Sequence, residues 1–321
     1  MNFQKYIKKK RKKMQNNILI TGSSGFVGAN LIPYLSKENY TVTGITRKPK
    51  EKEISYKELN KNIWNTSKAV IHLAGKAHDL KKVASDKEYY DVNRDLTIEL
   101  FKQFLESECQ IFIYVSSVKA SRDCIDMVLT EEHEPKPITI YGKSKLAAEK
   151  YILSKEIPIN KKVYILRPCM IHGPFNKGNL NLLYTFVSKK IPYPLGKYHN
   201  LRSFVSVDNF CFIIKKILEM NIKSGVYNIA DDTPLSTNDL VSLIGDEINK
   251  PAILLNLPKT FINLIAKIGD LIKLPINTER VEKLTENYVV SNTKIKNALS
   301  LKELPLSTKA GMRKTIISFK L

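Results

Sequence analysis

The chain is short of the residues that would make it secreted, metal-bound or membrane-spanning. Its 321 residues include 4 cysteines, Cys109, Cys124, Cys169 and Cys211, with no C-x-x-C pair. Neither a disulfide framework nor a zinc site is built that way, so a reducing, cytoplasmic setting and no metal are expected. There is no run of about 20 apolar residues, so no membrane-spanning segment is expected. No apolar stretch of signal-peptide length follows the N-terminus either. Acidic residues are scarce: 31 Asp and Glu stand against 52 Lys and Arg, a formal charge of +21. An excess of this size raises nucleic-acid binding, but its distribution argues against that. Seven of the positive charges lie in KYIKKKRKK, residues 5–13, and the remainder is lysine spread thinly. No aromatic-interleaved basic stripe accompanies it, so a solvated surface and no nucleic-acid partner are expected. Residues 1–14 read as a basic, disordered tail. A membrane-surface anchor is the alternative, because clustered lysines favour anionic lipid.

What is present is a rhythm. NILIT (17–21), TVTGIT (41–46), AVIHLA (69–74), IFIYVSS (111–117) and KVYILRP (162–168) are short apolar runs. Helical patterns separate them, from about Phe26 to Lys37, over 86–107 and over 139–155. Strands alternating with helices predict an α/β fold, a Rossmann-type doubly wound parallel sheet covered on both faces. After Pro168 the rhythm breaks, with Gly and Pro clustered in HGPFNKGN and KKIPYPLGK, then helical stretches at 236–249 and 259–274. The second stretch, KTFINLIAKIGDLIKL, has the pattern of a membrane-surface helix, though a helix packing the lobe is the simpler expectation.

TGSSGFVG places Gly22, Gly25 and Gly28 directly after a strand and at the opening of a helix. One glycine suits a tight turn, one lets backbone touch a pyrophosphate, and one lets helix pack on sheet. The helix N-terminus then offers its unpaired N–H groups to the phosphates. Ser24, Phe26 and Val27 lie in the same motif and join the candidate cofactor contacts. The next strand would end in a carboxylate if an NAD ribose were held there. Instead Thr46, Arg47 and Lys48 follow, with no acid before Glu51. A guanidinium suits a 2′-phosphate, so Arg47 favours NADP over NAD. The expected organisation is an NAD(P)-binding Rossmann domain at 15–172 and a smaller C-terminal substrate-binding lobe at 173–321, from which the chain returns to the sheet.

YGKSK puts Tyr141 and Lys145 four apart near a helix start, hence on one face. An ammonium and an oxidised nicotinamide both favour the phenolate, which exchanges a proton with a substrate hydroxyl while hydride moves. Ser116 and Ser117 end the run 111–117 at the carboxyl edge of the sheet, where ligands sit in such folds. Asn93 lies on the helical stripe Tyr89, Asn93, Leu96, Leu100, Phe104. An amide on an apolar stripe must find partners, such as a water or a backbone carbonyl beneath the site.

TGSSGFVG, HLAG (72–75), VNRDLT around Asn93, YVSS (114–117), YGKSK, LRPCMIHGP (166–174) and NLRSFVSVDN (200–209) together resemble one family. It is the extended short-chain dehydrogenases/reductases acting on nucleotide sugars, the NAD-dependent epimerase/dehydratase family, in its UDP-glucose 4-epimerase-like branch. The resemblance implies Tyr141 as acid/base, Lys145 on the nicotinamide ribose, Ser117 beside the substrate, and Leu73 and Ala74 as a cofactor wall. Arg202 resembles the arginine that binds the sugar-nucleotide diphosphate, with Asn179 and Arg280 as further substrate candidates. The 4,6-dehydratases carry an Asp-Glu pair after the catalytic hydroxyl residue; Val118 and Lys119 stand there instead, so dehydration is not expected. Two activities stay open: 4-epimerisation of a UDP-hexose with NAD retained, and NADPH-dependent reduction of a UDP-4-keto-6-deoxy(amino)sugar in surface polysaccharide synthesis. A non-catalytic dinucleotide-binding module is the remote alternative. The resemblance also implies a homodimer through helices 86–107 and 139–155.

Overall fold

The computed structural model describes residues 16–77, 85–174, 176, 179–272 and 277–319; the tail at 1–14 lies outside the described residues. The strands are β1 (Asn17–Thr21), β2 (Thr41–Thr46), β3 (Glu53–Ser55), β4 (Ala69–His72), β5 (Ile111–Val115), β6 (Lys162–Pro168), β7 (Met170–His172), β8 (Phe204–Ser206) and β9 (Gly225–Ile229). Seven of them form one sheet in the order β3-β2-β1-β4-β5-β6-β9, and β7 pairs with β8 separately. Every pairing is parallel. The helices are α1 (Phe26–Lys37), α2 (Lys61–Asn65), α3 (Asp86–Tyr90), α4 (Leu96–Leu105), α5 (Ile140–Leu153), α6 (Asn179–Ser188), α7 (Val207–Glu219), α8 (Thr237–Glu247), α9 (Lys259–Ile272), α10 (Thr278–Thr285), α11 (Thr293–Ala298) and α12 (Thr308–Ser318).

The strands read as unbroken apolar runs because both faces of the sheet are covered. Side chains alternate between the faces along each strand. On one face Ile18, Ile20, Ile71 and Ile113 meet Leu31 and Leu35 of α1 and Phe210, Ile214 and Ile217 of α7. On the other, Leu19, Val70, Phe112 and Ile165 meet Leu100 and Phe104 of α4 and Ala148 and Ile152 of α5. The doubly wound Rossmann-type sheet is therefore present as expected. A second core joins Leu183 of α6, Ile244 of α8, Ile262 of α9, Val281 of α10 and Met312 of α12.

Several boundaries differ from the sequence reading. The runs 69–74 and 111–117 leave the sheet two residues early, at His72 and Val115. The helix expected at 86–107 is interrupted by a π-helical turn at Asp91–Asp95. The expected return of the chain to the main sheet runs through β9, with α7 covering one face. GVYNI is short and lies at the sheet's edge, so it lacks the long apolar signature of the central strands.

One buried ion pair ties the layers. Arg167 of β6 donates from Nε to Oε1 of Glu149 on α5 at 3.0 Å and from Nη2 to Oε2 at 2.5 Å. Ser116 donates to the same carboxylate at 2.5 Å. The two charged side chains are 4% and 0% exposed. Removing one partner strands a charge in the interior. Arg167→Leu is therefore expected to cost about 3–5 kcal/mol in urea unfolding; a loss below about 1 kcal/mol would contradict the pair's structural role.

Candidate active site

Between β1 and α1 the chain turns so tightly that side chains are excluded. Gly22 has φ +70°, and a Cβ there would stand 2.8 Å from the Ala74 nitrogen. A Cβ on Gly28 would stand 2.4 Å from the Ser23 carbonyl oxygen. The Gly25 N–H donates to the Gly22 carbonyl at 3.0 Å. The helix that follows has no side-chain cap and no acid in its first turn. By contrast α5, α7, α8, α10 and α12 are capped by Thr139, Ser206, Ser236, Asn277 and Ser307. The first-turn N–H groups of α1 are thus left for an anion. This cradle fits the pyrophosphate of a dinucleotide. It sits where the strand order reverses, between β1 and β4, which is the binding crevice of open α/β sheets.

The other proposed cofactor contacts gather round it. Ser24 is exposed, with its hydroxyl 3.4 Å from that of Thr46. Phe26 and Val27 pack partly buried against the core of the sheet. Leu73 donates to the Thr21 carbonyl and Ala74 to the Thr21 hydroxyl, both at 3.2 Å, which holds these two residues against Gly22. Arg47 is exposed just beyond β2. Tyr56, which the sequence did not single out, brings its phenol beside Thr21, Gly22 and Arg47, and burial raises its pKa. The carboxylate of Glu53 accepts from the Ser23 hydroxyl at 2.6 Å and from the Lys50 N–H at 3.0 Å. These bonds hold its pKa down.

Tyr141 and Lys145 share α5. The entry to that helix is fixed by Asp123, whose carboxylate accepts from the Ile138 and Thr139 N–H groups at 2.6 and 2.9 Å and from the Thr139 hydroxyl at 2.8 Å. A Cβ on Gly142 would stand 2.3 Å from the Lys119 carbonyl oxygen, so α5 touches the segment after β5. The Ser117 hydroxyl thereby lies against the Tyr141 phenol. Lys145 is buried; its Nζ donates to the Val115 carbonyl at 3.0 Å and lies 4.9 Å over the Tyr114 ring. Burial pushes its pKa to about 8, against an upward pull from Glu149 one turn later. For Tyr141, burial raises the pKa, the Ser117 hydroxyl lowers it and Tyr89 adds to the rise. The ammonium is committed to Val115 and balanced by Glu149, and desolvation governs the phenol.

Asn93 is fully buried. Its Oδ1 accepts from the Lys76 N–H at 2.7 Å, and its Nδ2 donates to the Lys76 carbonyl at 3.0 Å and to the Ser144 hydroxyl at 2.9 Å. It therefore clamps the loop after β4 to α5, and its partner is a backbone carbonyl, as expected. His72 is also buried, between the hydroxyls of Thr21 at 2.6 Å and Thr97 at 2.9 Å. Burial lowers its pKa to about 3, so the ring is neutral.

Arg202 is half-buried. Its guanidinium donates to the Lys283 carbonyl, and burial lowers its pKa against the pull of Glu286. Its main chain bridges Leu235 and Tyr288. The Tyr288 phenol donates to the Arg122 carbonyl at 2.6 Å, and Lys119 Nζ lies 4.7 Å over its ring. Arg202 thus borders the segment that begins at Ser117. Arg280 is exposed on α10. Asn179 opens α6, but its side chain lies outside the described residues. Among the residues that sequence left out, Glu149 carried a signal, since it continues the i,i+4 series after Tyr141 and Lys145. Asp123 and Tyr288 carried none, because their partners are distant in the chain.

The profile described as the NAD dependent epimerase/dehydratase family matches residues 18–230. The chain belongs to this family. It is 30% identical to a UDP-glucose 4-epimerase of Vibrio cholerae, over 96% of this chain and 97% of that one. It is 27% identical to an Escherichia coli O157:H7 N-acetyl-alpha-D-glucosaminyl-diphospho-ditrans,octacis-undecaprenol 4-epimerase, over 88% and 89%. Its fold also matches the crystal structure of a Bacillus cereus UDP-glucuronic acid 4-epimerase in complex with NAD, with TM-score 0.72, 19% identity and coverage of 95% and 98%. Among the described residues no helix is long and apolar enough to cross a membrane.

The depressed Lys145 pKa has a consequence for stability. Its unfolded value is near 10.5 and its folded value about 8. Below about pH 8 the full cost of burying the charge is present. Between pH 8 and 10.5 the unfolded state holds more protons, so this group makes the fold more stable as pH rises. Relative to Lys145→Met, the wild type should gain up to about 1.4 kcal/mol per pH unit across that window in urea titrations. Parallel profiles for the two proteins would contradict it.

Proposed function

We propose that this family member is a 4-epimerase of a UDP-hexose that uses NAD(P). The reading is carried by Tyr141, with Ser117 against its phenol and Lys145 one turn along α5, beside the loop that Asn93 clamps to that helix. The residues around the glycine cradle, Gly22, Ser24, Gly25, Phe26, Val27, Gly28, Leu73 and Ala74, would hold the dinucleotide, with Arg47 at its adenosine end. When bound, the dinucleotide supplies the acceptor and donor of hydride. Tyr141 takes the proton of the sugar's C4 hydroxyl and returns it after the keto sugar has turned over. Ser117 hydrogen-bonds the same oxygen, and Lys145 holds the nicotinamide ribose. Arg202 meets the diphosphate with a planar fork of donors, and Asn179 and Arg280 are carried as further sugar-nucleotide contacts. Residues 15–172 would bind the dinucleotide and 173–321 the sugar nucleotide, with α7 and β9 returned to the sheet. Pairing of two copies through α3, α4 and α5 is carried over from the family resemblance.

A 4-keto reductase is the second reading, favoured by Arg47 and by the engagement of Glu53 with Ser23 and Lys50. Dehydration is disfavoured because the two positions after Ser117 hold a buried valine and a lysine.

Epimerisation predicts that the purified protein interconverts UDP-glucose and UDP-galactose, or their N-acetyl counterparts, without added cofactor. Tyr141→Phe should lower that rate by about 10²–10⁴-fold while leaving dinucleotide binding intact. A variant that keeps a tenth of the wild-type rate would rule out Tyr141 as the acid/base, and turnover only with added NADPH and a 4-keto sugar would favour the reductase.

Cofactor choice is tested at β2. Arg47→Asp should shift the ratio of NADPH to NADH affinity toward NADH by tenfold or more, about 1.4 kcal/mol, measured by calorimetric titration. An unchanged ratio would show that Arg47 does not read the 2′ position.

A further inference from the structure

The buried hydrogen bonds that leave the glycine cradle form one series with a single direction. Ala74 donates its N–H to the Thr21 hydroxyl at 3.2 Å. Thr21 Oγ1 lies 2.6 Å from His72 Nδ1, and His72 Nε2 lies 2.9 Å from Thr97 Oγ1. Thr21, His72, Thr97 and Asn93 are all fully buried. The far end sets the order. The Asn93 carbonyl can only accept, so Thr97, 2.8 Å away, directs its one hydroxyl proton there. Thr97 then accepts from His72, which assigns the ring proton to Nε2. Burial keeps the ring neutral, so Nδ1 is bare and accepts from the Thr21 hydroxyl. Every proton in the series has one place. Beyond Asn93, its amide donates to the Ser144 hydroxyl at 2.9 Å, and Ser144 donates to the Tyr141 carbonyl at 2.8 Å.

His72 ends β4, opposite Thr21 of β1 and Tyr114 of β5. Its ring stacks on that of Tyr114, with centroids 5.6 Å apart, and Lys145 Nζ lies 4.9 Å over the same Tyr114 ring. The segment that follows His72 touches both ends of the site. A Cβ on Gly22 would stand 2.8 Å from the Ala74 nitrogen, and a Cβ on Gly75 would stand 2.8 Å from Lys145 Nζ and 3.1 Å from Asn93 Oδ1. An apolar ring could fill the volume of His72. A ring bonded at both nitrogens accepts only one separation of β1 from the helical turn that carries Asn93. We propose that His72 is a positioning residue that fixes the spacing between the glycine cradle and Lys145, so that one dinucleotide meets both. The proposal rests on the reading that the cradle holds the pyrophosphate and Lys145 the nicotinamide ribose, and it names the residue that keeps those two contacts in step.

The test uses the full-length protein, freed of any retained nucleotide, and compares ADP with NAD by calorimetric titration. ADP reaches the cradle alone, whereas NAD reaches Lys145 as well. Neither carries a 2′-phosphate, so Arg47 does not enter the ratio of the two affinities. Lys145→Met is the reference and should lower the ratio of NAD to ADP affinity by about tenfold, the scale of one hydrogen bond to a charged group. His72→Phe should lower the same ratio by at least about fivefold, with ADP affinity kept within about twofold of wild type. His72→Gln, whose amide can donate to Thr97 and accept from Thr21, should recover most of the loss. An equal loss of both ligands, no change in either, or a glutamine no better than phenylalanine would make His72 a core residue only and overturn the proposal. If His72→Phe fails to fold by circular dichroism, Thr97→Val, which keeps the shape and removes one hydroxyl, is held to the same criteria. The tautomer is read by long-range proton–nitrogen correlation, with the His72 signals identified by their absence from His72→Gln. A proton on Nδ1 would overturn the proposal without reference to any ligand. A ratio unchanged by Lys145→Met would instead sink the reading of Lys145, and the role of His72 with it. A ratio lowered by Lys145→Met but not by His72→Phe would remove the role of His72 alone.

Discussion

The close docking of α5 on the ends of β5 and β6 is the constraint from which the site is built. Three successive turns of the helix make the contact. Gly142 leaves room for the Lys119 carbonyl, Lys145 donates to the Val115 carbonyl, and Glu149 accepts from Ser116 and Arg167. These contacts fall at i, i+3 and i+7, one face of one helix. The second and third are polar and buried, so each requires correct geometry or carries the cost of an unsatisfied group, while the first leaves no room for a side chain. A helix so held cannot rotate or slide by a residue without breaking all three. Tyr141 acquires its position from that rigidity, because nothing but its own helix and Ser117 need hold it.

The same docking explains the electrostatics. Along α5 run a partly buried phenol, a buried ammonium and a buried carboxylate, with the Arg167 guanidinium beyond. Desolvation raises the phenol and lowers the ammonium, so both drift toward their neutral forms. Glu149 opposes that drift at Lys145, while Arg167 and Ser116 keep Glu149 itself satisfied. The charge at Lys145 is thus supported from beneath by residues that never reach the cleft.

What sequence could reveal was local. The glycine motif is contiguous with its strand and helix, and Tyr141, Lys145 and Glu149 are linked by helical periodicity alone. The stripe through Asn93 packs inward as expected, with Leu96 partly buried against the core of Leu100 and Phe104. The series Tyr89, Asn93, Leu96, Leu100, Phe104 reads as an unbroken helix, and what it does not reveal is the π-helical turn at Asp91–Asp95. Thr97 beside it is fully buried as well, and its hydroxyl bridges the Asn93 carbonyl and His72. Asp123 and Tyr288 act on segments 15 to 170 residues away, where no periodicity reports contact. The short edge strand β9 was hidden for a related reason: its stability comes from pairing with β6, not from its own composition.

The two residues after Ser117 show how one position in a shared fold is turned to a different use. An acid pair there must face the substrate and exchange protons. Val118 instead joins the core of the sheet, 4% exposed, which turns the chain so that Lys119 points its ammonium at the Asp123 carbonyl and over the Tyr288 ring. Tyr288 in turn donates to the carbonyls of Val118 and Arg122 and lies beside Arg202 in a bridge of main chains. The segment after Ser117 here fastens the Tyr288 and Arg202 main chains to the carboxyl edge of the sheet. Lys119 is held low by burial and is engaged, so it is a poor substitute for an acid; what it contributes is the fixed approach of the Arg202 segment to the end of β5.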